Sequence, residues 1–239
     1  MDAQLIAITK PVHPDCVDMD PEEFIAYCAR VSNPSNQMNN ETSGKLLLYC
    51  LKRGHWSVFE QVDVTMKIVT SRAIAAQILR HKSFSFQEFS QRYAEATELE
   101  NIDPRLKHGG NRQGSGDDVD EHTYAYSNAM ANYAMEAYKL LLSQGVAPES
   151  ARFNLPLCTQ TTLYMKGSVR SWITYFWQRL DPHAQKEHRE LAGEMLRQFA
   201  PSFPLIYECV VTSRPQVIEG PWIAPEGQFS TGFQGEVLD

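Results

Sequence analysis

The segment from Arg80 to Tyr93 concentrates side chains that could bind an anionic, heterocyclic ligand. Its sequence, RHKSFSFQEFSQRY, contains three cations at its start, three serines, Glu88 and Arg92, with no glycine or proline. A guanidinium can grip a phosphate with two parallel hydrogen bonds, while hydroxyls and a carboxylate can read the polar edge of a ring. The segment is therefore a candidate binding site for a phosphorylated heterocycle.

A second interpretation of the same residues is purely structural. The run from Ser71 to Leu79 predicts a helix, which would place Arg80, His81 and Lys82 near its carboxyl end. Positive charge is favourable there because of the helix macrodipole. A basic helix end followed by a solvated loop would account for the composition without any ligand.

Three more arginines, Arg152, Arg170 and Arg179, lie in or beside apolar or aromatic segments. The last two flank the run SWITYFW, a helix that is too apolar to be freely solvated. An unpaired buried charge is costly, so these guanidinium groups must find either carboxylates or ligand oxygens. With 29 acidic residues in the chain, internal ion pairs are as good an explanation as a ligand.

Composition excludes several classes of protein. The 239 residues suit one domain, in one or two lobes, and 43% hydrophobic residues can form a core. The net charge of −7 argues against nucleic acid as a partner. No apolar run resembles a membrane span or signal peptide, and five cysteines without a C-x-x-C pair indicate reduced thiols, so we expect a cytoplasmic protein.

Hydrophobic periodicity and turn residues predict a mixture of strands and helices. Strands are expected at residues 3–9, 62–68 and 161–166. Helices are expected at residues 21–31, 43–53, 71–79, 121–143, 169–179 and 182–199, with a further one opened by Pro148. Asp20 and Asp181 are predicted N-caps, each followed by proline. Residues 103–120 form the only long stretch that is typical of a loop.

The basic segment also resembles a family signature. Flavin-dependent thymidylate synthases carry Arg-His-Arg, then seven residues, then Ser-x-Arg-Tyr; here Arg80-His81-Lys82, Ser90 and Arg92-Tyr93 fall at those spacings, with lysine as the departure. Further blocks resemble the family in its order: Ala29–Ser32, Gly54–Glu60, Ala151–Leu157, Gly167–Trp172, Arg179 and His183–Gln185. On these blocks the chain is identified as a member of that family.

The resemblance implies an α+β fold with an antiparallel-leaning sheet covered by long helices. It implies a single compact domain, residues 1–214, assembled as a homotetramer with shared active sites. The last residues, 215–239, are rich in proline and glycine and are expected to form an extended tail. The implied reaction is the reductive methylation of dUMP to dTMP. Methylenetetrahydrofolate would donate the one-carbon unit, FAD would be the cofactor and hydride source, and NADPH would reduce the flavin.

Roles for individual residues are also implied by the resemblance alone. The residues implied for dUMP are Gln77, Arg80, Glu88, Ser90, Gln91, Arg92, Arg152 and Arg179, with Arg179 as the catalytic residue beside the uracil. The residues implied for FAD are His55, Ser57, Arg80, His81, Lys82, Glu88, Ser168, Val169, Arg170, Thr174 and His183. Ser168 and Thr174 depart from residues that the family often has at these positions.

Two other functions compete with this assignment. A nucleotide-binding regulator would keep the arginines without redox chemistry. A metal hydrolase could use His183, Glu187 and His188, although their spacing matches no known zinc motif. Cys158 is expected to be a small core residue and not a nucleophile, and the aromatic run from Tyr124 to Tyr138 is expected to be a helix packing face.

Overall fold

A computed structural model of the chain describes residues 1–110 and 113–212. Its main sheet has the strand order β1-β2-β6-β3. These strands are β1 (Asp2–Ile8), β2 (Asp63–Ser71), β3 (Ser85–Glu88) and β6 (Gln160–Ser168). All three strands that the sequence predicts are therefore present, and β3 is an addition inside the basic segment.

Hydrogen bonds at the two ends of β2 and β6 give their relative direction. Val169 N donates to Val62 O over 2.9 Å, whereas Arg72 N donates to Thr159 O over 2.9 Å. Because the start of β2 pairs with the end of β6 and the reverse, the two strands are antiparallel. The expectation of a mixed fold with an antiparallel sheet is confirmed.

The chain divides into two compact units. The first contains residues 1–2, 68–82 and 86–164. Its helices are α3 (Arg72–Ile78), α4 (Glu121–Ser143) and α5 (Pro148–Ala151), and its two-stranded sheet is β4 (Arg105–Lys107) with β5 (Ser115–Asp118). A small core forms where Met135 and Tyr138 of α4 pack with Ala96 and Ala151. The Tyr138 hydroxyl also accepts a hydrogen bond from Ala96 N over 3.3 Å.

Of the described residues, the second unit contains 3–67, 83–85 and 165–212. Its helices are α1 (Pro21–Ala29), α2 (Ser43–Arg53), α6 (Val169–Arg179), α7 (Lys186–Phe199) and α8 (Pro204–Thr212). Helix α6 buries Trp172, Tyr175 and Phe176. The Trp172 Nε1 group donates to Val64 O over 3.2 Å, which fixes α6 against β2. The apolar face of α6 therefore packs this helix against β2.

Local capping signals explain most helix boundaries. Asp20 accepts from Glu23 N over 2.8 Å and Glu23 accepts from Asp20 N over 3.0 Å, a reciprocal capping box at α1. Gly54 ends α2 with a φ of 68°, a left-handed conformation that glycine adopts without steric cost. Helix α6 spans the residues that the sequence predicts.

Two expectations about elements were wrong, one helix was not predicted, and one expected packing face is buried only in part within the chain. Residues 105–107 and 115–118 pair as an antiparallel ribbon within the presumed loop. Helix α7 starts at Lys186, because Asp181 Oδ1 accepts a hydrogen bond from His183 N instead of capping a helix at Pro182. Helix α8 was not expected at all. Along α4, only Met135 and Tyr138 of the aromatic run are buried, while Tyr126, Met130 and Tyr133 are exposed.

Two further points concern the limits of the chain. The tail expected at residues 215–239 lies outside the described residues. Within the described residues, no helix combines the length and the hydropathy that crossing a bilayer would require.

Candidate active site

The residues implied for the site belong to both units. The first unit holds Gln77, Arg80, His81, Lys82, Glu88, Ser90, Gln91, Arg92 and Arg152. The second holds His55, Ser57, Ser168, Val169, Arg170, Thr174, Arg179 and His183. Apart from Arg179, the residues implied for dUMP therefore share one unit.

The cations of the basic segment follow the end of α3. Gln77 is half-buried in the last turn, and its carbonyl accepts from Arg80 N over 3.3 Å. Arg80 and Lys82 are exposed and His81 is half-buried. Arg80 and Lys82 form no ion pair with any residue of the described chain. Their charges therefore stay available for an anion.

Glu88, at the end of β3, is held by two donors. Arg72 Nη1 lies 2.6 Å from Glu88 Oε1, and Thr161 Oγ1 donates to the same oxygen over 3.0 Å. The Glu88 side chain is 18% exposed. A largely buried carboxylate with a charged partner and a hydroxyl donor is kept in one orientation, which suits a hydrogen-bond acceptor for a ligand.

Arg92 and Arg152 meet at a single glutamate. Arg92 Nη2 lies 3.2 Å from Glu149 Oε2, and Arg152 Nε donates to Glu149 O over 3.3 Å. The Arg92–Glu149 pair is largely exposed, so it stabilises the fold little and can exchange for a ligand anion. Ser90 precedes Arg92 in an exposed turn closed by the Tyr93 N to Ser90 O bond of 3.0 Å.

Gln91 is the buried residue of this turn, with 7% of its surface exposed. Its Nε2 group has no hydrogen-bond partner among the described residues. A buried amide donor without an acceptor costs about 1 to 3 kcal/mol. This orphaned donor fits a site whose missing acceptor is an oxygen of a ligand.

In the second unit, the amino end of α6 is built around Ser168. The Ser168 Oγ atom accepts from Ser171 N over 3.4 Å, and Ser171 Oγ donates to Ser83 O over 3.2 Å. Val169, the first residue of the helix, is buried. Arg170 points to the surface, where its Nη1 lies 3.0 Å from Glu60 Oε1. This arginine has therefore found a carboxylate, as the ion-pair interpretation of the sequence allowed.

A polar cavity of about 380 Å³ opens beside Ser168. Its lining consists of hydroxyls, charged groups and one glycine: Glu60, Asp63, Ser83, Ser85, Lys166, Gly167, Ser168 and Ser171. Lys166 Nζ lies 2.7 Å from Asp63 Oδ2. A Cβ atom at Gly167 would lie 2.5 Å from the Phe84 ring, so the strand passes this ring only as glycine. The hydroxyls fit the ribose part of a dinucleotide, whereas the Lys166 ammonium group is already neutralised by Asp63.

The other residues implied for the cofactor are exposed. His55 lies edge-on to the Tyr49 ring, with 5.7 Å between the centroids, and Ser57 belongs to a 3-10 turn. Thr174 Oγ1 donates to Arg170 O over 3.1 Å. His183 Nδ1 lies 2.8 Å from Asp181 Oδ1. His55 and His183 therefore present rings to solvent, while the Thr174 hydroxyl proton is already engaged.

Arg179 is the last residue of α6 and is half-buried. It lies near Tyr175, whose hydroxyl is 3.0 Å from Nε2 of the buried His188. Burial raises the pKa of Tyr175 well above its usual range, and the positive charge of Arg179 acts in the opposite direction. The guanidinium is thus held at the end of a rigid aromatic helix, where it can oppose a developing negative charge.

The three residues of the metal-hydrolase alternative do not converge. His183 contacts Asp181, Glu187 Oε2 accepts from Gln185 Nε2 over 2.8 Å, and His188 is buried against Tyr175. No group of three metal-ligating side chains occurs in the described parts of the chain. Cys158 is half-buried and burial raises the pKa of its thiol, which disfavours the nucleophilic thiolate.

Sequence reasoning missed Arg72, Thr161 and Glu60. Arg72 had one usable signal, because a cation at the first position of a helix opposes the macrodipole and needs a carboxylate nearby. Thr161 had no signal, since its partner Glu88 is 73 residues away. Glu60 ends the block Gly54–Glu60, but nothing in the sequence links it to Arg170, which is 110 residues away.

Comparison with known proteins identifies the family. Residues 16–205 match the family model described as thymidylate synthase complementing protein. A flavin-dependent thymidylate synthase of Synechocystis sp. is 51% identical over 211 residues, covering 86% of this chain and 97% of the relative. A probable flavin-dependent thymidylate synthase of Paramecium bursaria Chlorella virus 1 is 47% identical over 213 residues, with the same coverage of 86% and 97%.

The fold is also found in a solved structure. A UMP/dUMP methylase, PolB, from Streptomyces cacaoi, solved with 5-Br dUMP bound, superposes with a TM-score of 0.73 at 24% identity. The match covers 91% of this chain and 97% of that one. The class is thus an α+β protein that shares the fold of this structure. The chain belongs to the thymidylate synthase complementing protein family, the family of the flavin-dependent thymidylate synthases, as the motifs predicted.

Proposed function

We infer that this chain is a flavin-dependent thymidylate synthase, which converts dUMP to dTMP by reductive methylation. The family match over residues 16–205, together with relatives of that name that cover 86% of the chain, carries this conclusion. A regulator that binds nucleotide without chemistry is not favoured, because the relatives named as flavin-dependent thymidylate synthases match this chain over 97% of their own length.

The first unit supplies the groups proposed for dUMP. Arg80, Arg92 and Arg152 would neutralise the phosphate, and Gln77 and Ser90 would add polar contacts. Support comes from the unpaired charge of Arg80, the exchangeable Arg92–Glu149 pair and the orphaned amide of Gln91. Together these features explain why a protein with a net charge of −7 can attract an anionic substrate.

FAD is the proposed cofactor, and when bound it would supply the hydride and be reduced again by NADPH. Residues proposed to hold it are His55, Ser57, His81, Lys82, Ser168, Val169, Arg170, Thr174 and His183, with Arg80 and Glu88 shared. The hydroxyls that line the polar cavity at Ser168 support a ribose contact there. The ion pair with Glu60 would orient Arg170 toward such a group.

Arg179 is the proposed catalytic residue. Uracil C5 is a poor nucleophile until electron density is pushed toward it, and a guanidinium beside the ring stabilises the ionised form. Arginine stays charged when desolvated, unlike lysine, so it suits a half-buried position. The one-carbon unit would come from methylenetetrahydrofolate.

We propose a homotetramer with shared sites in the cytoplasm. Helix α4 supports an assembly because it exposes Tyr126, Met130, Tyr133 and Leu140, with Ala137 half-buried between them. These residues follow each other at intervals of four and three, the spacing of a helix–helix seam. The first unit leaves this stripe uncovered.

One experiment tests the function. Purified protein should show the absorption spectrum of oxidised flavin and should form dTMP from dUMP when methylenetetrahydrofolate and NADPH are added. Omission of NADPH under anaerobic conditions is the control and should stop turnover. A protein that binds dUMP but neither contains flavin nor forms dTMP would be the regulator instead.

A further inference from the structure

Glu88 uses only one of its two carboxylate oxygens within the chain. Arg72 Nη1, at 2.6 Å, and Thr161 Oγ1, at 3.0 Å, both contact Oε1. No hydrogen bond reaches Oε2 from any described residue, and the side chain keeps 18% of its surface exposed. A carboxylate has about four lone-pair directions, so the second oxygen is a free acceptor on a side chain that cannot rotate away.

Backbone contacts keep the two donors in place. Arg72 is the first residue of α3, where Arg72 N donates to Thr159 O over 2.9 Å and Ala73 N donates to Leu157 O over 3.0 Å. Phe89 N donates to Thr162 O over 2.9 Å, which aligns β3 with β6 beside Thr161. Three elements of the same unit therefore meet at one oxygen.

The position of Arg72 suggests that more than fold stability keeps it there. A cation at the amino end of a helix opposes the macrodipole, by roughly 0.3 to 1 kcal/mol at a surface. An apolar residue at this position would avoid that cost, provided that Glu88 were also replaced. The arginine is needed only as long as a carboxylate must stay oriented at Glu88.

We propose that Arg72 and Thr161 are positioning residues, which hold Oε1 of Glu88 so that Oε2 accepts a hydrogen bond from an N–H or O–H group of the bound nucleotide. The proposal rests on the inferred function, since Glu88 enters the nucleotide site through it. Arg72 and Thr161 themselves contact no ligand. The two carboxylate oxygens of Glu88 then have different partners, because Oε1 accepts from the protein and Oε2 from the nucleotide. The donor is either a ribose hydroxyl or the ring N–H.

The test measures discrimination between nucleotides, using the flavin-loaded protein and titration calorimetry. The probes are dUMP, its 2′,3′-dideoxy analogue and its N3-methyl analogue, which lack the hydroxyl and the ring donor respectively. The wild-type protein should bind one analogue at least about tenfold more weakly than dUMP, because a hydrogen bond to a charged group is lost. The weaker analogue identifies the donor.

Arg72→Met should reduce this discrimination to less than about threefold, because an unrestrained carboxylate no longer offers Oε2 in one place. In a Glu88→Gln background, the same substitution should change the affinity for dUMP by less than about twofold. Thr161→Val conserves the shape of the side chain and removes only one donor, so it should also reduce discrimination. It is the alternative variant for this test if Arg72→Met folds poorly. Lys139→Met, which removes the cation of an exposed ion pair in the same unit, should leave discrimination at the wild-type value.

Two results would overturn the proposal. In the first, Arg72→Met weakens the binding of dUMP and of both analogues by the same factor, both in the wild-type protein and in the Glu88→Gln background. Such a uniform loss of affinity would mark a purely structural role for Arg72. The other is wild-type discrimination in both Arg72→Met and Thr161→Val. If the wild-type protein bound no dUMP, the inferred function itself would fail, which is a distinct outcome.

Discussion

At the scale of single residues, four arginines of the basic segment and its surroundings occupy two kinds of environment. Arg72 and Arg170 each contact one carboxylate, at 2.6 Å and 3.0 Å. Arg80 has no such partner among the described residues, and the pair made by Arg92 is exposed. A neutralised guanidinium can orient a neighbour, whereas an unpaired one can attract a phosphate, so the two groups suit different tasks.

Arg179 is expected to matter more for the chemical step than for binding. Arg179→Ala should lower kcat by about a hundredfold, or about 3 kcal/mol, because a charge that stabilises the transition state is lost. Arg179→Lys should be nearly as damaging, since the ammonium group lacks the planar fork. Steady-state kinetics and the flavin spectrum of both variants check this, and the spectrum should be unchanged.

Arg92→Ala is the matched comparison for that prediction. Its phosphate contact would be equally strong in the ground and transition states, so the substitution should raise the KM for dUMP and leave kcat near the wild-type value. Wild-type turnover by Arg179→Lys would remove Arg179 from its proposed role.

At the scale of elements, local signals in the sequence predict the helices that cap themselves. Helix α1 has its capping box, α2 ends at Gly54, and the N-cap of α6 is Ser168. Helix α8 is different, because its first turn is capped by Glu22 of α1. Glu22 Oε1 accepts from Ile206 N over 2.8 Å and Oε2 from Leu205 N over 3.3 Å. A cap that is 184 residues away leaves no local signal, so the sequence could not predict this helix.

The same reason separates predictable from unpredictable features in the site. The basic segment, the arginines and Ser168 were recognisable from their types and order, because the resemblance depends on those. The clamp on Glu88 was not, since it depends on which strands become neighbours. Asp181 shows the opposite error, because its local sequence predicted an N-cap that the structure does not have. Its carboxylate instead accepts a hydrogen bond from His183 N.

The Glu22 cap should make stability depend on pH. Burial raises the pKa of Glu22 from 4.5 to about 7, more than the two backbone hydrogen bonds lower it. The folded protein therefore binds a proton that the unfolded chain has lost between these two values, and stability falls as the pH rises through this window. By pH 8 the loss should approach roughly 3 kcal/mol.

Glu22→Gln removes this titration and keeps an acceptor oxygen for α8. Urea unfolding at pH 5 and pH 8 should show that the wild-type protein loses stability relative to Glu22→Gln across this range. Glu41→Gln, at an exposed carboxylate, is the control and should track the wild-type protein. A difference between wild type and Glu22→Gln that stayed constant with pH would contradict the expected ionisation of Glu22.

At the scale of the whole molecule, the stripe on α4 is an exposed apolar surface that a single chain leaves unexplained. Tyr126, Met130, Tyr133 and Leu140 are 61%, 47%, 73% and 58% exposed, although they are among the most apolar side chains of the helix. The opposite face of α4 buries Met135 and Tyr138 in its own unit. A 23-residue helix with two apolar faces can bury both only by contacting a further partner.

Disruption of this stripe should therefore reduce the mass of the assembly. The wild-type protein should have the mass of a tetramer by light scattering at micromolar concentration, and Tyr133→Glu should shift it to a smaller species, because the charge would be desolvated in the seam. Lys139→Gln is the control, because it changes the net charge of α4 by the same amount as Tyr133→Glu. Lys139 is exposed and lies outside the stripe, so this substitution should leave the mass of the assembly unchanged. A Tyr133→Glu tetramer would exclude the stripe as an interface, whereas a fully active wild-type monomer would refute shared sites.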